Sequence, residues 1–418
     1  MTNHATTHTS ILPNGLRVVT DTMQEAESVV VGAWVGVGTR HEPWRANGVA
    51  HLVEHMMFKG TKRHSSYALS NAIEKNGGVM NAHTTREETA YYAKVLPEDA
   101  ELATDIIADM LQHSVFDPKE LDRERTVIVQ EIGSYIDAPE EHVFDLMHQL
   151  AFPKQTIGRP IVGTADVIMK LPRKAIVDYV KRYYHAGNMV IAAAGKIEHK
   201  DFVAMVKRYF GKLSRGKVAT SAKAHAAGGV DLQKREIEQL HIIMGFAGPS
   251  FHNRAIYPAQ LLSIILGGSS SSRLFQKVRE KRGLVYSVNS GHSAFSDAGL
   301  FQIYAGTDPA RVKELMPVIQ DELRDVTKNI GDGELKRAKA QGRAAMLMGQ
   351  EDVMRRAEVI GHQMLAHNRM ISIDETLKKL MAVTKEDVQA EAKKLFKSKP
   401  TLTALGPVEG LKGWGARH

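Results

Sequence analysis

The strongest restriction on the fold is that the chain spells one order of elements twice. LPNGLRVV (Leu12 to Val19) reads as a turn leading into a strand, and SVVVGAWVGVG (Ser28 to Gly38) as a strand of β-branched residues and glycine. A helical pattern holding HLVEH follows, then a second helix ending at Asn76 and Gly77. Next come a long alternating strand from Gly77 to Leu96, a helix from Pro97 to about His113, and another opened by the cap Asp117 and Pro118. This half closes with a helix over 171–184 and the strand VIAAAG (Val190 to Gly195). In the second half HIIMGFAG (His241 to Gly248) matches the early strand, and ELKRAKAQGRAA (Glu334 to Ala345) aligns with ELDRERTVIVQE (Glu120 to Glu131). VTKEDVQAEAKKLF (Val383 to Phe396) answers the 171–184 helix, and LTALGPVE (Leu402 to Glu409) answers IAAAGKIE (Ile191 to Glu198), with an offset that stays between 211 and 214. The expected fold is therefore α+β, with two structurally similar domains, 1–212 and 232–418, each a largely antiparallel sheet with helices packed on it. The small, polar, basic stretch 213–231 reads as the linker.

Composition narrows the chemistry. The 418 residues contain no cysteine, so disulfides and thiolate metal sites are excluded and any transition metal must be held by histidines and carboxylates. The net charge of +8 comes from Lys and Arg dispersed among acids, which argues for a solvated basic surface and against a nucleic-acid partner. No stretch approaches the ~20 apolar residues of a membrane span, and the first residues lack the pattern of a secretory signal. The expectation is a soluble cytoplasmic protein without a membrane partner.

HLVEH (His51 to His55) places two imidazoles four residues apart on one helix face, with Glu54 beside them. That is the spacing of a zinc hydrolase written in inverted order. A catalytic zinc takes a third protein ligand, here a carboxylate or a third histidine. Glu131 is the preferred candidate, and Glu124, seven residues earlier on the same face of the same helix, is placed to support a ligand. The repeat is an internal control: at an offset of 214, His51, His55 and Glu131 fall on Ile265, Ser269 and Ala345, so the scaffold itself does not require ionisable groups there. His64, His83, His113, His142 and His148 have no partner at ligand spacing and read as surface or core histidines. With Glu54 as general base, the natural reaction is hydrolysis of a peptide bond.

HLVEHMMFKGT, GGVMNAHTTREETAYY, ERTVIVQEI and SSRLFQKVREKRGLVYS (Ser271 to Ser287) occur in that order, and together they resemble the pitrilysin (M16) metallopeptidases. Within that family the similarity is to the processing-peptidase group, meaning the catalytic beta subunit of the mitochondrial enzyme and its bacterial relatives. The resemblance implies one Zn2+ per chain held by His51, His55 and Glu131, Glu54 as base and Glu124 as a supporting acid. It further implies that Arg279 and Tyr286 bind substrate and stabilise the tetrahedral intermediate. The strand residues Asn81, Ala82, His83 and Thr84 would pair with a peptide substrate in extended conformation. Longer members of the family carry the zinc in one half and the Arg/Tyr pair in the other, which implies a homodimer enclosing a chamber. The glycine-rich loop of the processing enzyme's noncatalytic subunit has only LGGSSSSRLF (Leu266 to Phe275) at the comparable place, so that subunit's guiding role does not transfer. Two alternatives stay open: a catalytic subunit that works only with a different, zinc-less partner, and a non-catalytic core-type subunit.

Overall fold

The structure is a computed structural model that describes residues 6–412 and 414. Its strands are β1 (Thr6–Ile11), β2 (Arg17–Thr22), β3 (Val29–Val35), β4 (Val79–Thr84), β5 (Thr89–Val95), β6 (Met189–Gly195), β7 (Gly229–Lys234), β8 (Leu240–Gly248), β9 (Ser287–Ala294), β10 (Gly299–Thr307) and β11 (Thr401–Gly406). Helices α1 (Val49–Met57), α2 (Ser66–Glu74), α3 (Ala100–His113), α4 (Pro118–Asp137), α5 (Pro139–Ala151), α6 (Ala165–Lys170) and α7 (Arg173–Tyr183) fall in the first half. They are followed by α8 (His199–Phe210), α9 (Ile256–Gly267), α10 (Val312–Val326), α11 (Asp332–Met348), α12 (Val353–His367), α13 (Ile373–Ala382) and α14 (Lys385–Lys397). Among the described residues no helix is long and apolar enough to cross a membrane.

The repeat is written into the topology. One sheet runs β1-β2-β6-β3-β5-β4 and the other β7-β11-β8-β10-β9. In the first, only the β2–β6 pair is parallel, and in the second only the β11–β7 pair; these are equivalent positions. The stretch Gly77 to Leu96, read from sequence as one long strand, is instead the hairpin β4–β5. Its turn carries no Gly or Pro; the Thr85 hydroxyl accepts from the backbone N–H of Glu87 and Glu88 and bends the chain there.

Strand β3, VVVGAWV, is buried along its whole length because both faces of its sheet are covered, which removes any reason for polar alternation. Val29, Val31, Ala33 and Val35 join the larger core with residues of α1, α3, α7 and α8. Val30 and Trp34 face the other way, against Ala357, Ile360 and Met364 of α12. In the second sheet Ile243, Leu300, Tyr304 and Leu405 are covered in the same manner by Val143, Met147 and Ala151 of α5.

Those two covering helices are exchanged between the repeats. By compactness, the first unit takes the described residues up to Gly133 with Arg159–Ser221 and Met348–Ile371; the second takes Ser134–Gly158, Ala222–Leu347 and the described residues from Ser372 on. Each sequence half therefore gives one helix to the other half's unit, and the two are counterparts, since α5 begins at 139 and α12 at 353, a difference of 214. Side-chain sizes match this exchange. In the first unit the bulk lies on the sheet: Trp34 is wholly buried, and a Cβ at Gly361 of α12 would lie 2.3 Å from its Cδ2. In the second unit the bulk lies on the helix, where Met147 of α5 sits over Gly245 of β8, its Sδ 3.0 Å from where a Cβ would be. Trp34 and Gly245 are repeat counterparts, as are Met147 and Gly361, so each helix complements the sheet it covers and mismatches the other.

Candidate metal centre

The first turn of α1 is anchored by a buried acid. Glu42 accepts from the backbone N–H of Gly48 and Ala50 and from the Asn47 side chain, satisfying donors that a helix start leaves open. Burial raises its carboxyl to about 7, although those donors and Arg159 pull the other way. Gly48 adopts a φ of +88°, and a Cβ there would lie 2.9 Å from the Val162 carbonyl, so the entry to α1 requires glycine. Leu52, Val53, Met56 and Met57 of α1 are buried in the larger core, which fixes the rotation of the helix, turns His51 and His55 toward α4 and lets Glu54 reach Thr84 of β4.

Helix α4 is held by Leu121, Ile128 and Ile132 and presents Glu124 and Glu131, two turns apart. The Glu131 carboxylate lies 3.7 Å from His51 Nε2 through Oε1 and 3.6 Å from His55 Nε2 through Oε2, and the two imidazoles are 4.6 Å apart between ring centres. Among the described residues these three form the one group of histidines and carboxylates whose donor atoms all lie within 4.8 Å of one another. Tetrahedral zinc with bonds of about 2.0–2.2 Å sets neighbouring donors about 3.4 Å apart, and the two imidazole–carboxylate distances lie within a few tenths of an ångström of that spacing, so the donor types and their separation suit zinc. Three protein donors would leave the fourth position of a tetrahedral ion to water or substrate.

The surroundings suit a cation. His55 Nδ1 lies 3.0 Å from Glu124 Oε2, which fixes Nε2 as the atom facing Glu131, and Lys59 Nζ lies 2.7 Å from the other Glu124 oxygen. Burial and the neighbouring His55 push the His51 imidazole down to about 3, keeping that ring neutral as a ligand must be. Burial also lowers His55, but the Glu124 hydrogen bond with the charges of Glu54 and Glu131 outweighs it and leaves the ring above its ordinary value. Burial raises Glu131, and it raises Glu54 against the opposing hydrogen bond from Thr84, whose hydroxyl donates to Glu54 Oε2 at 2.5 Å.

Of the strand residues named from sequence, Asn81, Ala82, His83 and Thr84 lie on β4, the last strand of its sheet, paired with β5 on one side only. Arg279 and Tyr286 belong to the other compact unit. Both are exposed, Tyr286 at 60%, and apart from the Arg279 guanidinium resting over the Phe275 ring, neither side chain has a partner among the described residues. Of the other histidines singled out from the sequence, His64 and His113 converge on Asp109, and His148 donates to the Phe144 carbonyl. In the second unit Ile265 is buried in α9, and Ser263 and Ser290 exchange side-chain to backbone hydrogen bonds that hold α9 against β9. Sequence reasoning missed Lys59 and the bond from Thr84 to Glu54. Lys59 stands four residues after His55, a helical spacing that could have drawn notice, whereas the Thr84 contact required knowing where β4 runs.

Residues 17–165 match the family described as Insulinase (Peptidase family M16), and residues 170–341 match the one described as Peptidase M16 inactive domain. An uncharacterized zinc protease of Streptomyces coelicolor is 37% identical over 414 residues, covering 97% of this chain and 90% of that protein. The uncharacterized zinc protease YmxG of Bacillus subtilis is 36% identical over 396 residues, covering 94% and 97%. Among solved structures, a protease from Helicobacter pylori superposes with a TM-score of 0.91 at 22% identity over 96% of this chain and 99% of that one, a likeness of fold. A peptidase M16 inactive domain from Pseudomonas fluorescens gives 0.89 at 20% identity over 96% and 98%. The chain thus belongs to the M16 peptidase family, and its relatives at 35–37% identity carry the name zinc protease.

Proposed function

We infer that the chain is a zinc endopeptidase acting on short or unfolded peptides, with one zinc per chain held by His51, His55 and Glu131. The observation that carries this reading is the convergence of two imidazole Nε2 atoms and one carboxylate within 4.8 Å, with a general base one residue from a ligand. Zinc, when bound, supplies Lewis-acid chemistry, polarising a substrate carbonyl and easing deprotonation of water. Glu54 takes the proton from the attacking water and passes it to the leaving amine, while the Thr84 hydroxyl holds its carboxylate in place. Glu124 keeps His55 in the tautomer that presents Nε2. An extended peptide adds as a further strand along Asn81 to Thr84 on the unpaired side of β4, which explains a preference for unfolded segments. The active unit is a homodimer in which the partner subunit's Arg279 and the partner subunit's Tyr286 complete each site. Their exposure, and the lack of hydrogen-bonding partners for their side chains among the described residues, support that use.

The test separates base from ligand. Glu54→Gln keeps the shape and the zinc but removes the base, so turnover of an unfolded peptide should fall by roughly 10²–10⁴-fold at normal zinc content. Glu131→Gln should weaken zinc binding itself. If both variants bind zinc and cleave as the wild type does, these roles are wrong.

A further inference from the structure

We propose that Lys59 is a positioning residue for the metal centre, acting through Glu124 on His55; this rests on the zinc reading above. Four side chains stand in line: Lys59 Nζ is 2.7 Å from Glu124 Oε1, Glu124 Oε2 is 3.0 Å from His55 Nδ1, and His55 Nε2 is 3.6 Å from Glu131 Oε2. The Glu124 side chain is 6% exposed, so each of its oxygens needs a partner within the protein. The histidine takes one and the ammonium the other. Held at both ends, the carboxylate cannot rotate away from His55, and the ammonium balances the charge of the buried group.

The support falls on one ring of the pair. His51 Nδ1 is buried and has no hydrogen-bond partner among the described residues, so of the two imidazoles only His55 has its orientation set by a charged group behind it. Lys59 lies beyond the end of α1, its N–H donating to Met56 O, and makes no other ion pair among the described residues. A plainer role is available to it, as a cation at a helix end or a clamp between α1 and α4. The second unit shows what such a clamp looks like. The repeat counterpart of Lys59 at an offset of 214 is Arg273, which grips Glu334 of α11 and Asp325 of α10 with no histidine involved. Glu334 corresponds to Glu120, one turn before Glu124. In the first unit the cation meets the acid that holds His55 Nδ1.

The two roles separate in a double-mutant cycle read as zinc affinity by chelator competition, with the melting temperature of the metal-free proteins as a second readout. Lys59→Met should weaken zinc roughly tenfold, the lower end of the range for groups acting behind a ligand, and Glu124→Gln by at least as much. Lys59→Arg should recover most of the loss. In a Glu124→Gln background, Lys59→Met should change zinc affinity by less than about twofold, because its route to the metal is already cut. Lys59→Gln, with a polar head on a shorter stem, carries the same comparison should the methionine variant unfold. A clamp would instead lower the melting temperature of the metal-free protein and leave zinc affinity unchanged; that result, or losses that simply add in the double variant, would overturn the proposal. A wild-type protein that does not bind zinc would sink the zinc reading itself, an outcome distinct from normal zinc binding by the Lys59 variants.

Discussion

Gly361→Ala isolates the packing that seats α12 on the first sheet. In an exposed helix this substitution stabilises by about 1 kcal/mol through backbone propensity alone. Here the new Cβ would lie 2.3, 2.6 and 2.7 Å from Cδ2, Cε2 and Cγ of Trp34, where carbon atoms prefer about 3.5–4.0 Å. The indole is wholly buried and cannot turn aside, so α12 must lift or the ring must move by about 1 Å. Overpacking of that kind costs about 1–3 kcal/mol, and against so rigid a neighbour the upper part of the range applies, leaving a net loss of about 1–2 kcal/mol. Urea denaturation of the purified protein measures it. Trp34→Leu alone should also destabilise by leaving a cavity, yet in combination the two should cost less than their sum by about 1 kcal/mol or more, since the smaller side chain makes room for the Cβ. If Gly361→Ala were neutral or stabilising, or if the pair were additive, α12 would not be packed on Trp34 and the helix exchange would be wrong.

Glu42 gives a pH test. Its folded-state value of about 7 lies above the ordinary 4.5, so the folded chain holds this proton more tightly than the unfolded chain. The associated stability, up to roughly 3 kcal/mol, is complete below pH 4.5 and is lost as pH rises through 7. Glu42→Gln does not titrate, so urea midpoints should show the wild type losing ground to the variant between pH 5 and 7.5; a gap independent of pH would exclude the effect. Shared sites give a mixing test. Inactive Glu54→Gln and inactive Tyr286→Phe chains, combined in equal amounts with free exchange, should recover roughly a quarter of wild-type activity, because about half the dimers are mixed and each has one intact site of two. No recovery despite demonstrated exchange would refute sharing.

The duplication was legible because both halves repeat the same order of strands and helices, and like orders under the same connection rules give like sheets. The exchange of α5 and α12 was not. An amphipathic pattern says that a helix has an apolar face, not which sheet it covers, and the pairing of Trp34 with Gly361 and of Gly245 with Met147 shows its meaning only in three dimensions. The β4–β5 hairpin was misread because Thr85, rather than a glycine or proline, makes the turn. At the site, helical spacing set His51 and His55 on one face of α1, and Glu124 and Glu131 on one face of α4; that these two faces meet is a tertiary fact no spacing encodes, and the full set came from the resemblance. Lys59 read as one more solvated charge, and the contact between Thr84 and Glu54 crosses from strand to helix, a distance that no local pattern encodes.

The most direct measurement of the central claim is zinc content and peptide cleavage taken on the same samples. The wild type should carry about one zinc per chain, lose cleavage of an unfolded peptide when the metal is stripped, and regain it in proportion to zinc restored; a protein lacking both ligands, as His51→Ala with Glu131→Gln, should neither hold zinc nor regain activity. Undiminished cleavage by metal-free protein, or stoichiometric zinc in the double variant, would contradict the assignment of this site.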